Sequence, residues 1–234
     1  MHPYEPMVRL DEGLYCVAGA FGRSPLGRRM TVVVLPGGLL VHSAVRMAEQ
    51  DMRALEALGP VRWIVVPNAF HAADAPFYAE RYPAARTLVP SGARARLARR
   101  MRVDGTLEDD WSAELAATLP RVILHGTRTG EAALFHPPSR TLILTDLVFN
   151  LGDDFRGPAR AFLRLNGALN RFGPTRLFRW VFLRDRAALA ASLAEVLAWD
   201  FDRVVMSHGA VLPTGGRAAL LRTFDWLEGL KAAP

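Results

Sequence analysis

Three short stretches carry side chains able to do chemistry. "VVPNAFHAAD" offers Asn68, His71 and Asp74, "LILTDLVFN" offers Asp146 and Asn150, and "VVMSHGAV" offers Ser207 and His208. Each lies where an apolar run ends, the position at which a rigid scaffold usually presents functional groups. A weaker fourth stretch, "VILHGTRTGE", adds His125, Thr127 and Glu131. Two histidines and a carboxylate drawn from separate strand ends could converge on one divalent cation. Zinc accepts imidazole and carboxylate ligands and needs an open position for catalysis. An ion so held would lower the pKa of a coordinated water to about 7.

The competing structural readings are ordinary. A lone histidine at a strand end, as at His125 or His136, is more often a hydrogen-bonded framework residue than a ligand. His42, inside "LLVHSAV", reads as half-buried. Asp146 is harder to explain by packing, because four apolar or small positions precede it and "LVF" follows. A carboxylate there must be paired, metal-bound or capping a loop, since an isolated buried charge is too costly. Serine chemistry has less support. The chain has no G-x-S-x-G elbow, and Ser207 is too close in sequence to His208 to imply a triad. No glycine-rich phosphate loop follows a strand, so nothing asks for a nucleotide.

The elements that must position these groups follow from periodicity. "GLYCVAGAF", "MTVVVLP" and "LLVHSAV" read as strands, with Gly37-Gly38 as a hairpin turn. "AEQDMRALEALG" reads as a helix stopped by Gly59, "VRWIVVP" as a strand, "PFYAERYP" as a short helix and "ARTLVP" as a strand. "SGARARLARRM" reads as an amphipathic helix starting near Ser91 or Gly92. Then "RVILHGT", "GEAALFHP" and "TLILTDLVFN" read as three further strands. "DRAALAASLAEVLAWD" is a helix capped by Asp185, "FDRVVMSHG" a strand, and "GGRAALLRTFDWLEGL" a closing helix. Grouped strands with helices between and after them predict packed sheets covered by helices.

Composition sets the outer limits. The 234 residues are 50% hydrophobic and 22% charged, the balance of a globular protein that buries a sizeable core. Almost all the basic charge is arginine, Lys231 being the only lysine. With abundant alanine, that usage reflects GC-rich coding as readily as an anionic partner, so the net charge of +6 is weak evidence for nucleic acid. Cys16 is the only cysteine, which excludes an internal disulfide and a cysteine-rich metal cluster. The N-terminus does not read as a secretory signal, and no run of about 18 uncharged apolar residues offers a membrane span. The expectation is a cytoplasmic protein. No composition break or repeat separates domains, so residues 1–234 read as one domain, with 151–186 as an insertion or lid.

The order of these motifs resembles the metallo-β-lactamase superfamily, and more closely the related domain family DUF4336, over about residues 8 to 230. "MTVVVLPGGLLVHSAV" resembles the opening strands, with His42 and Ser43 where an aspartate and a small residue are usual. "WIVVPNAFHAAD" stands where the superfamily carries T-H-x-H-x-D-H. "GTRTGEAALFHPPSRTLILTDLVF" resembles the segment between the third metal histidine and the bridging aspartate, and "VVMSHG" the final strand with its G-H-G loop. The resemblance implies an α/β (α+β) fold, a four-layer αβ/βα sandwich of two mixed sheets flanked by helices.

By that resemblance the bridging aspartate falls on Asp146 and the last histidine on His208. The first motif is eroded in either of two registers. In one, Asn68 takes the first histidine position, Phe70 and Ala73 take two other ligand places, Ala72 replaces the aspartate, and His71 lies between. In the other, His71 falls on the second histidine and Asp74 on the final one, leaving Ala69 and Ala73 at ligand positions. The third histidine falls on Thr127, with His125 two residues away on what reads as the same strand face.

The implied metal ligands are therefore His71, Asp146 and His208, with Asn68, Asp74 or His125 as helpers. They would hold at most one divalent ion: Zn, Fe or Mn. The expectation is a divergent hydrolase of a small ester, lactone or thioester. The competing expectation is a binding or accessory protein that kept the fold and lost the chemistry. No nucleic-acid partner is expected. Residues 153 to 186, where arginines alternate with Phe, Leu and Trp, could instead face a membrane or an acidic partner. A roof over the site with arginines snorkelling outward is the favoured reading of that segment.

Overall fold

A computed structural model describes residues 3–22 and 24–230. The chain divides into two compact units, Met1–Ala113 and Glu114–Pro234. Each unit has its own sheet and its own apolar core.

The first unit starts with β-branched and aromatic runs of period 2, and these form strands β1 (Val8–Asp11), β2 (Leu14–Phe21), β3 (Ser24–Leu35) and β4 (Gly38–His42). They pair antiparallel in chain order. The β3–β4 turn consists of Pro36 and Gly37, because Leu35 already pairs with Gly38. Gly38 has φ +128°, and a Cβ there would lie 2.4 Å from the Pro60 carbonyl oxygen, so only glycine fits this position.

From β4 onward the chain alternates helix and strand. Helix α1 (Glu49–Glu56), β5 (Val61–Val65), α2 (Ala75–Arg81), β6 (Arg86–Val89), α3 (Ser91–Leu97) and β7 (Gly105–Thr106) follow in turn. Strands β4 to β7 are parallel, giving a mixed seven-stranded sheet in the order β1 to β7. Alternation puts Val17, Met30, Val32, Val41 and Ile64 in one cluster with Met52 and Leu55 of α1 and Tyr78 and Ala79 of α2. Residues of the opposite parity, including Leu14, Val33, Leu40, Val65 and Leu88, are buried as well. Parallel strands buried on both faces read as continuous apolar runs, as "WIVV" does.

The second unit begins in α4 (Ala113–Thr118). Its strands β8 (Arg121–Ile123), β9 (Ala132–His136), β10 (Thr141–Ile143) and β13 (Arg203–Val205) form a sheet ordered β13-β10-β9-β8. The β10–β13 pair is parallel and the other pairs are antiparallel. Strands β11 (Phe149–Leu151) and β12 (Arg171–Gly173) make a separate two-stranded ribbon, with α5 (Gly157–Leu165) between them. A π-helical turn, Phe178–Phe182, leads to α6 (Arg186–Leu197). The Asp185 carboxylate caps α6 by accepting from the Ala188 N–H at 3.0 Å. Helix α7 (Gly216–Thr223) closes the unit. Leu189, Leu193 and Val196 of α6 and Leu220 of α7 pack with Val122, Phe135, Leu142 and Val204 of the sheet.

Two expected strands are shorter than their sequences suggest. "RVILHGT" stops at Ile123, so His125 lies in a turn, Thr127 forms an isolated bridge with Leu183, and the two share no strand face. "TLILTDLVFN" is broken between Ile143 and Phe149, and Asp146 lies in the break. Among the described residues, no helix is long and apolar enough to cross a membrane.

Candidate functional site

In the first unit the chemistry gathers where β4 and β5 end. The chain leaves β4 through Ser43, whose φ of +57° is a left-handed conformation that a non-glycine residue adopts at some cost. The Ser43 N–H bonds the Val65 carbonyl at 3.0 Å, which ties the turn to β5. The Ser43 hydroxyl then lies 3.0 Å from His71 Nδ1 and orients that ring. Asn68 shapes the loop that carries His71: its side-chain oxygen accepts from the N–H groups of Phe70 at 2.9 Å and His71 at 3.1 Å. This is an Asx turn, and it engages the acceptor oxygen of Asn68 with the backbone.

Asp74 is engaged in another way. Its carboxylate forms an ion pair with Arg28 and accepts from the Arg46 N–H at 2.7 Å. Arg28 is only 2% exposed, and a guanidinium that deeply buried needs a counter-charge. Asp74 thus serves the framework, at the N-terminus of α2. His42, at the end of β4, is fully buried, and its Nε2 has no partner among the described residues. Burial first, and the neighbouring His71 second, push its pKa down to about 3, so the ring is neutral at physiological pH. Phe70 is 49% exposed and Ala72 and Ala73 bear no donor atoms, so the rest of the loop offers no ligand.

In the second unit the corresponding groups are Asp146 and His208. The Thr145 and Asp146 N–H groups turn toward the side chain of Glu131 rather than toward a neighbouring strand, at 3.0 and 2.9 Å. Both Glu131 oxygens accept, a geometry that suits the ionised carboxylate. Complete burial, and then the charge of Asp146, raise its pKa well above the ordinary carboxylate range, against the pull of those N–H groups and that of Leu147. His208 follows β13, and its Nε2 lies 3.1 Å from Asp146 Oδ1. Phe149 stacks on the imidazole, with centroids 4.9 Å apart and planes at 11°. Asn150 holds the loop on both sides: its N–H donates to the His208 carbonyl at 3.2 Å, and its carbonyl accepts from Ala210 at 2.9 Å.

The second unit therefore unites Asp146 with His208 and gives Asn150 a loop-tying role. His125 is exposed on the turn after β8, held through its backbone N–H by Ile123 and Ser192. His136 is buried and bonded to the Ser139 hydroxyl at 2.6 Å, a framework role. Glu131, Ser43 and Phe149 lay outside the ligand set expected from sequence. Glu131 left the clearest signal, a carboxylate opening the apolar run "AALF". The roles of Ser43 and Phe149 depend on a turn and a ring stack that no local pattern encodes.

No protein-family model matches the sequence. No curated protein matches it either. Solved structures do. A DIM-1 metallo-β-lactamase exposed to ceftazidime aligns at 14% identity and a TM-score of 0.65, covering 97% of both chains. A metallo-β-lactamase from Pontibacter korlensis aligns at 12% and 0.63, covering 97% of this chain and 100% of that one. FIM-1 from Pseudomonas aeruginosa, in its mono-zinc form, aligns at 13% and 0.57, covering 97% and 95%. The α/β fold with two mixed sheets and flanking helices, expected from the sequence, is the fold of these structures.

Proposed function

We propose that this chain is a hydrolase-like protein of the metallo-β-lactamase superfamily, akin to DUF4336, with a reduced site for at most one divalent ion. His71, Asp146 and His208 are its ligands, each offering one imidazole nitrogen or carboxylate oxygen. The observation that carries this reading is the Asp146–His208 pair, 3.1 Å apart and held by Glu131 and Asn150. Two imidazoles and a carboxylate suit Zn, Fe or Mn. A mono-zinc form of one structural neighbour supports the idea that this fold accommodates a single ion. The limit to one ion is supported by the first unit, where Asn68 binds the loop backbone and Asp74 neutralises Arg28.

A bound ion would supply Lewis-acid polarisation of a substrate carbonyl and a nucleophile at neutral pH. The protein's own groups do the rest. Ser43 fixes the His71 ring, Asp146 and His208 orient each other, and Glu131 holds the backbone that carries Asp146. The substrate class that fits this reading is a small ester, lactone or thioester. The alternative is an inactive binding or accessory protein, and the framework duties of Asn68 and Asp74 favour it. In either case we place the protein in the cytoplasm, without a nucleic-acid partner.

The test is the metal content of protein purified without chelators, measured by plasma mass spectrometry, with His71→Ala and His208→Ala in parallel. About one equivalent of Zn, Fe or Mn in the native protein, lost in both variants, is expected. No metal above background after reconstitution would overturn the hydrolase reading in favour of the binding protein.

A further inference from the structure

The second unit contains a cavity of about 410 Å³ that no part of the proposed hydrolytic site uses. Arg171, Arg179, Arg222, Phe172, Asp225 and Trp226 line it. The Arg179 guanidinium lies 3.9 Å above the Trp226 ring centroid, and that of Arg186 lies 5.8 Å from the same ring. Three guanidiniums thus line a cavity whose lining includes one carboxylate, Asp225, and a fourth, Arg186, lies beside the Trp226 ring. Among the described residues no ion pair within salt-bridge distance involves any of the four. Elsewhere Arg81, Arg86, Arg140 and Arg160 are each paired with a carboxylate.

The arrangement is built rather than incidental. Trp226 Nε1 donates to the Thr223 carbonyl at 3.0 Å, and the Thr223 hydroxyl donates to the Phe172 carbonyl at 3.2 Å, so β12 and the end of α7 form a braced floor. Gly173 makes this close approach feasible, since a Cβ there would lie 2.1 Å from the Thr223 hydroxyl. Arg171 is held by a bond from its Nη2 to the Pro174 carbonyl at 3.1 Å. Desolvation, followed by repulsion from Arg171 and Arg186, lowers the Arg179 pKa, with Asp225 opposing. Like charges gathered around an open cavity are stabilised by an anion that bridges them.

We propose that this cavity binds a phosphoryl group through Arg171, Arg179 and Arg222. Guanidinium forks match phosphate oxygens in bidentate geometry, and a cavity of this volume has space for a small organic phosphate. The phosphoryl group has two sources, a soluble phosphate ester or the headgroup of a phospholipid. Trp180, 76% exposed, and Val181 follow Arg179 on the same π-helical turn and would give a lipid an apolar contact.

The experiment has two arms at a fixed ionic strength of about 0.15 M, where nonspecific attraction is screened. In one arm, inorganic phosphate is titrated calorimetrically into the full-length protein. In the other, the protein is sedimented with phosphatidylcholine vesicles, with or without phosphatidic acid. Both arms are repeated with Arg171→Gln/Arg222→Gln, two exposed positions. The control is Arg99→Gln/Arg100→Gln, equally exposed and removing the same charge from the other unit. Thermal unfolding checks that each variant is folded.

Saturable binding in either arm, weakened at least about tenfold by the cavity variant and less than about twofold by the control, is the expected result. Saturation with inorganic phosphate identifies a soluble ligand, and saturation only on phosphatidic acid vesicles identifies a lipid. Absence of saturation in both arms, or equal weakening by the control pair, would overturn the proposal.

Discussion

Two buried side chains show how local environment sets what a residue can do. His42 is buried at the end of β4 and loses its proton affinity first to desolvation and second to the neighbouring His71. The unfolded chain takes up a proton near pH 6.5 while the folded chain stays neutral down to about pH 3. Below pH 6.5 the unfolded state therefore binds more protons, and stability falls with acidification by up to about 1.4 kcal/mol per pH unit. His42→Leu removes this linkage and the unpartnered Nε2. Urea unfolding of the variant between pH 7 and pH 5 is expected to show a flatter pH dependence than the native protein. An unchanged slope would assign the acid sensitivity to other groups. Glu131 presents the opposite demand, since both of its oxygens receive backbone N–H groups. Glu131→Gln would turn an amide N–H₂ toward one of those donors. A loss of about 1–3 kcal/mol in chemical denaturation is expected, with reduced metal uptake because the Asp146 backbone is no longer held.

At the scale of elements, the loops between strands decide where the chemistry sits. The segment between β10 and β11 leaves the sheet because its N–H groups bond Glu131, and Asp146 is presented by that detour. The loop after β13 depends on Gly209, at φ +94°, where a Cβ would lie 2.1 Å from the Asn150 carbonyl oxygen. Gly209→Ala therefore meets both backbone strain and a collision with backbone that cannot move aside. The expected cost exceeds about 2 kcal/mol by thermal or urea unfolding, and His208 is displaced. A crystal structure of the variant with the Phe149–His208 stack intact would contradict this account.

At the scale of the molecule, each unit rests on a separate core. In the second, Leu193 is completely buried among the side chains of the sheet and α7. In the first, Leu55 holds α1 to the sheet and is also completely buried. Leu193→Ala and Leu55→Ala are each expected to cost about 2–5 kcal/mol, read from urea midpoints at an unchanged slope. A cost near zero for either would mean that the site collapses around the deletion. Cys16, buried in β2, has its thiol pKa raised chiefly by desolvation, which makes it a packing residue rather than a nucleophile.

The apolar runs "MTVVVL" and "GLLVH", the helical spacing of Met52 and Leu55, and the Asp185 cap are local patterns, and by themselves they determined the strands, the helices and the mixed α/β class. They did so because period and capping act over a few residues of contiguous chain. Sequence also singled out Asp146 and His208, since polar groups at the ends of apolar runs need a reason to be there. The duties of Asn68 and Asp74 were decided elsewhere. Asp74 is claimed by Arg28, 46 positions earlier in the chain, and Asn68 by the local path of its own loop. The interruption of "TLILTDLVFN" likewise came from Glu131, 15 positions before Asp146. Hydrogen bonds and ion pairs between distant residues carry no periodic signature, so only tertiary structure could assign them.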